Sequence, residues 1–134
     1  MKVLVDTAVW SLALRRRAPA HRAVDELRRL VSQGRAAIVG PVRQELLSGI
    51  RDVAVFERLR DHLRAFPDER ILSADYERAA DWFYLCRAKG IQGSNTDFLL
   101  CAVAERIDFP ILTTDADFQT FSRVLPLRLH PVEG

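Results

Sequence analysis

Asp6, Glu45, Asp97 and Asp115 are four carboxylates that could serve catalysis, and two of them, Asp97 and Asp115, sit at the ends of buried elements where an ordinary fold prefers neutral residues. Asp6 ends the apolar run VLV, and Asp115 follows the run ILTT. Asp97 opens a stretch, 98–104, that is apolar without a break, and Glu45 lies one turn into a helical pattern. Two unit charges about 4 Å apart repel by roughly 1 to 4 kcal/mol between water and a partly buried setting. Four acids gathered together therefore need either protons or a cation. An all-oxygen set suits a hard divalent ion, Mg²⁺ or Mn²⁺. Such an ion can orient a phosphodiester, polarise it and acidify a water, which is the chemistry of metal-dependent phosphodiester hydrolysis. Singly, each acid also has an ordinary explanation. Asp6 and Asp115 suit helix N-caps, Asp97 complements a helix dipole, and Glu45 suits a solvated helix face.

The elements that must position these acids are short strands alternating with helices. Apolar β-branched runs predict strands at 2–5, 36–39 and 111–112, with further short ones at 70–72 and 127–129, the last limited by Pro126 and Pro131. Helical spacing fills the intervals, with Gly34 stopping one helix and Gly40-Pro41 opening another. In the helix over 73–89, Tyr76, Ala80, Phe83 and Cys86 or Arg87 mark the faces. Ser94 or Asn95 caps the helix that carries Asp97. Strands joined by helical crossovers imply an α/β fold, a short central parallel sheet flanked by helices on both faces. Ligands of such sheets bind outside the carboxyl ends of the strands. Asp6 and Asp115 lie at those ends. Asp97 begins a helix that must start there, because the next strand runs back toward that edge.

The 134 residues suit one domain, 1–134, with 49% hydrophobic and 28% charged residues. No apolar run approaches the roughly 20 residues that span a bilayer, and MKVLVDTAVW is not a secretory signal, so a cytoplasmic location is expected. Cys86 and Cys101 lack metal-ligand spacing and read as buried thiols. His21, His62 and His130 lie far from the acids in the pattern and read as surface or packing residues. Of the basic residues only Lys2 and Lys89 are lysine. Arg15, Arg16 and Arg17 are candidates to grip RNA phosphates, or form a solvated turn. Trp10, Leu14 and the Leu46-Leu47 and Phe56-Leu59 faces are either core or a surface for a partner.

The segments VLVDTAVW, GPVRQELLSG, SNTDFLLCAVA and ILTTDADF, in that order, resemble the PIN-domain family, and within it the VapC-type toxin ribonucleases of type II toxin–antitoxin pairs. The resemblance runs over nearly the whole chain. It implies an Mg²⁺-dependent endoribonuclease that cuts single-stranded RNA with a metal-activated water, leaving a 5′-phosphate and a 3′-hydroxyl. Asp6, Asp97 and Asp115 would be its metal ligands, and Glu45 would position or deprotonate the nucleophile. Thr7 and Thr113 would be supporting hydroxyls, and Asp117 a further ligand or a dipole residue. The family's habits also imply a cognate antitoxin that covers the site, and a homodimer. A catalytically silent PIN-like module that binds RNA or protein is the alternative. A phospho-receiver domain is excluded, because Thr7 stands where a second acid is required and no lysine follows Lys89.

Overall fold

The computed structural model describes residues 1–14 and 20–132. The chain order is β1 (Val3–Val5), α1 (Thr7–Ala13), α2 (Arg22–Ser32), β2 (Ala36–Ala37), α3 (Gly40–Ser48), α4 (Val53–Leu63), α5 (Ser73–Ala88), α6 (Asn95–Ile107), β3 (Ile111–Leu112) and α7 (Asp117–Val124). The sheet is parallel with order β2-β1-β3. Leu4 sits opposite Ala37 on one side and Ile111 on the other. Val3, Leu4 and Val5 have no exposed surface, so both faces of the central strand are covered. The expected α/β architecture is the one observed. Among the described residues no helix is long and apolar enough to cross a membrane.

Parallel pairing points all three strand ends at one edge, and that edge is where β1 releases Asp6. The Asp6 N–H still donates to Leu112 O at 2.9 Å, so the acid is held by the ladder itself. Helix α6 is the other fixed element. Its residues Phe98, Leu99, Leu100, Cys101, Ala102, Val103 and Ala104 are all buried, as the unbroken apolar run required. Asp108 ends it in the left-handed conformation (φ 59°), which aspartate tolerates, and the chain turns back into β3. Gly93 precedes its cap. A Cβ there would stand 2.7 Å from Phe121 and 2.9 Å from Phe98, so only glycine lets the loop close over the Phe83–Phe98–Phe121 cluster.

Three expected strands are shorter or absent. Over 36–39 the ladder covers Ala36–Ala37, with Ile38 in a lone bridge to Asp68. Residues 70–72 form no strand because side chains take their backbone groups. Asp75 accepts the Leu72 N–H at 2.8 Å, and Arg106 donates to Arg70 O at 2.7 Å. The segment 127–129 contributes one parallel bridge, Leu129 to Ile111, between its two prolines.

The buried stripe of α5 is Asp75, Ala79, Trp82 and Cys86, one residue off the face through Tyr76, Ala80 and Phe83. Asp75 is 2% exposed and accepts from Arg106 Nε with both oxygens, at 2.8 and 3.0 Å. This pair joins α5 to α6. Asp75→Ala would strand Arg106 and the Leu72 N–H together, and is expected to destabilise the fold by roughly 3 kcal/mol. Denaturant unfolding checks it, and a loss below about 1 kcal/mol would show the pair to be dispensable.

Candidate active site

Asp6 is the innermost acid, 7% exposed. It caps α1, with Oδ1 accepting from the Thr7 N–H at 2.8 Å, so its ordinary capping role is real. Its second oxygen does something a cap does not need. Oδ2 accepts from the Thr113 hydroxyl at 2.8 Å, across 107 positions of chain. The same hydroxyl accepts the Asp115 N–H at 2.9 Å. Thr113 thus ties the end of β1 to the loop after β3 and fixes where Asp115 begins.

Asp97 is placed by a capping box. Ser94 Oγ accepts the Asp97 N–H, and Asp97 Oδ2 accepts the Ser94 N–H, both at 3.1 Å. Ser94, rather than Asn95, is the cap. Glu45 comes from α3 and is exposed. The Thr7 hydroxyl donates to its Oε1 at 3.1 Å. Asp115 Oδ1 accepts the Asp117 N–H at 2.9 Å and so stabilises the start of α7. Glu45, Thr7, Asp6, Thr113 and Asp115 therefore form one connected chain of hydrogen bonds.

The electrostatics bring Asp97 into the same group. Burial, opposed by the hydrogen bonds from Thr113 and Thr7, and reinforced by the charges of Asp97 and Asp115, raises the Asp6 pKa from 3.8 to about 6. Asp97 is also raised, first by burial and further by Asp115 and Asp117, against the pull of its Ser94 hydrogen bonds. Asp115 acts on both of the other acids, whereas Asp117 raises Asp97 and is itself exposed. Cys101, buried beneath, is pushed up strongly by desolvation and then by Asp97, and is inert as a nucleophile.

Among the described residues no three acidic, histidine or cysteine side chains stand as a finished ligand cluster. The acids feel one another's charge while each is still held by its own N–H or hydroxyl. Their chemistry fits a hard cation. The donors are all oxygen, one is deeply buried, and two are raised in pKa partly by mutual repulsion, which positive charge would relieve.

Arg15, Arg16 and Arg17 lie outside the described residues. Trp10, Leu46 and Leu59 are buried in the core, while Leu14 and Leu47 are packed against it and partly exposed. The histidines do not all lie away from the acids. His21 and His130 line a cleft that also contains Thr113 and Asp115. They arrive there because Leu129 pairs beside Ile111 and α2 starts against the same edge, which no local pattern reveals.

Comparison with known proteins agrees with this fold. The family model described as PIN domain matches residues 3–124. VapC ribonuclease Mb1587 of Mycobacterium bovis is 32% identical over 130 residues, covering 94% of this chain and 96% of that protein. Ribonuclease VapC11 of Mycobacterium tuberculosis matches with the same identity and coverage. The crystal structure of VapBC2 from Rickettsia felis bound to a promoter DNA fragment superposes with a TM-score of 0.77 at 18% identity, over 97% of this chain and 98% of that one. With the family model spanning the sheet and every acid at its edge, the chain belongs to the PIN domain family, among its VapC-type members.

Proposed function

We propose that this chain, as one domain over 1–134, is an Mg²⁺-dependent endoribonuclease, able to use Mn²⁺, and the toxin of a type II toxin–antitoxin pair. The observation that carries this is the charge coupling of Asp6, Asp97 and Asp115, drawn from three distant parts of the chain to one strand edge. An acid 7% exposed and raised to about 6 is an unfavourable arrangement unless a cation uses it. The ribonuclease names of the relatives support RNA as the substrate.

In this reading Asp6 and Asp97 hold the ion, and Asp115 completes the set directly or through water. When bound, the ion neutralises phosphate charge and acidifies a water in its shell. The protein's own groups do the positioning. Thr113 and the Thr7 N–H fix both oxygens of Asp6. Glu45, steered by the Thr7 hydroxyl, accepts a proton from the attacking water. In-line attack of the water oxygen on phosphorus breaks the P–O3′ bond, and the departing 3′ oxygen takes a proton from solvent, leaving a 5′-phosphate and a 3′-hydroxyl. Asp117 assists from outside by its charge on Asp97. Arg15, Arg16 and Arg17 are proposed to hold flanking phosphates.

The antitoxin reading has support of its own. An apolar cleft of about 300 Å³, lined by Trp10, Leu14, Leu27, Val31 and Phe66, shares Leu14 and His62 with a neighbouring cleft of about 650 Å³ beside α4. Trp10 Nε1 has no hydrogen-bond acceptor among the described residues. Two adjoining clefts, the first mainly apolar and the second edged by Asp52 and Arg58, suit a peptide segment of a protein partner. A solved structure of the same fold, 18% identical with a TM-score of 0.65, is named a toxin–antitoxin complex from Klebsiella pneumoniae. A homodimer, through the exposed Tyr76, Tyr84 and Leu85 of α5, completes the proposal.

A nuclease assay on single-stranded RNA tests the reading. Cleavage is expected with Mg²⁺, lost in EDTA and restored by excess Mg²⁺. A protein that binds RNA or a partner but never cleaves, with either metal, would instead be a silent module.

A further inference from the structure

The edge that carries the acids continues into the cleft shared by Asp115, His21 and His130, about 510 Å³ in volume, over an apolar floor that includes Ile111 and Leu129. Asp115 is the only acidic side chain lining it among the described residues. Arg22, the first residue of α2, lines the same cleft. An arginine there gains nothing from the positive end of the helix dipole, and Arg22 has no ion pair or side-chain hydrogen bond among the described residues. A charge placed against the local rule and left unpaired is free for a ligand.

The neighbouring rings sort themselves by their hydrogen bonds. His21 Nδ1 accepts the Ala23 N–H at 3.0 Å, so the neutral ring carries its proton on Nε2, a donor not used by the cap. His130 is committed elsewhere, its Nε2 lying 3.2 Å from Glu26 Oε1. Glu26 is also engaged by Arg29, which holds its carboxyl below the usual range, so this acid is already answered. Thr114 and Gln119 add exposed polar groups to the lining.

We propose that this cleft is a nucleotide subsite for the RNA strand: Arg22 and His21 Nε2–H bind the phosphate next to the one being cut, and the apolar floor takes the attached sugar or base. The proposal rests on the ribonuclease reading and extends it by naming what holds the substrate beside the acids. A cleft that continues from the acids and is lined by an unpaired arginine and a free imidazole N–H suits a strand whose next phosphate lies beside the one being cut.

The test uses Asp97→Asn protein, to prevent cleavage, and a short fluorescein-labelled mixed-sequence single-stranded RNA followed by anisotropy across KCl concentrations. Arg22→Ala should weaken binding about tenfold, as loss of a charge-assisted phosphate bond does, and lower the salt slope by about 0.7. His21→Asn keeps an N-cap oxygen but removes the Nε2 donor, and should weaken binding severalfold at unchanged thermal stability. Gln119→Glu should weaken it by repulsion. With the four acids intact, Arg22→Ala should raise KM more than it lowers kcat. Unchanged RNA affinity and salt slope in both Arg22→Ala and His21→Asn would overturn the subsite. So would a loss confined to affinity for the antitoxin. Failure of the wild type to cleave RNA sinks the nuclease reading and leaves the binding series to decide the subsite.

Discussion

Asp97→Asn is expected to reduce RNA cleavage by about a thousandfold or more while leaving the fold intact. An amide keeps an oxygen able to accept the Ser94 N–H, so the capping box that starts α6 survives. What disappears is the charge. Charge stabilisation by a bound divalent ion is worth several kcal/mol, and each 1.36 kcal/mol is a factor of ten in rate. Asp117→Asn is the matched control. Asp117 is exposed and acts on Asp97 only through space, so less than about a tenfold loss is expected. Single-turnover cleavage with saturating Mg²⁺ measures both. Retained activity in Asp97→Asn, or equal losses in the two, would remove Asp97 from the centre of the mechanism.

The second large effect is on stability, and its sign separates a functional acid from a capping one. The Asp6 pKa is raised in the fold, chiefly by burial and then by Asp97 and Asp115, from 3.8 to about 6. Between those values the folded protein binds more protons than the unfolded chain, so stability falls as pH rises. The contribution is fully present below pH 3.8, is lost as pH passes about 6, and stays lost at neutrality. A shift of this size corresponds to at most about 3 kcal/mol. Asp6→Asn should therefore melt higher than wild type at pH 7.5 in EDTA, with the difference shrinking toward pH 4.5. Added Mg²⁺ should recover stability in the wild type and not in the variant, because only the native state offers the site. A structural cap would behave in the opposite way, since Asp6→Asn would then be neutral or destabilising at every pH.

These two predictions rest on residues whose placement was legible in the sequence, for identifiable reasons. Asp6 and Asp115 end apolar runs, the runs are parallel because helices intervene, and parallel strands deliver their ends to one edge. Asp97 was legible through topology, because its helix had to begin at the edge toward which the next strand runs, while the choice between Ser94 and Asn95 as its cap was decided by the structure in favour of Ser94. Thr113 was expected as a hydroxyl near the site only through the family resemblance. Its double role, donating to Asp6 and accepting from Asp115, depends on contacts spanning the chain.

What was not legible follows from side chains acting on distant backbone. Asp75 looks like a surface acid on α5, yet Arg106 draws it into the core, shifts the buried stripe by one position, and helps take the hydrogen bonds that a strand at 70–72 would need. His21 and His130 carry no spacing that relates them to the acids. The lone Leu129–Ile111 bridge brings the C-terminal segment alongside β3, and the cleft exists only once that bridge has formed. Periodicity records which face of an element is buried. It does not record which distant charge will neutralise a buried one.

The central claim is that carboxylates from the ends of β1 and β3 and the start of α6 serve one divalent cation. Anomalous diffraction from crystals grown with Mn²⁺ addresses it directly. The account predicts an Mn²⁺ peak in contact with the carboxylates of Asp6 and Asp97, lost in Asp97→Asn. An active protein whose Mn²⁺ binds away from both residues would contradict it.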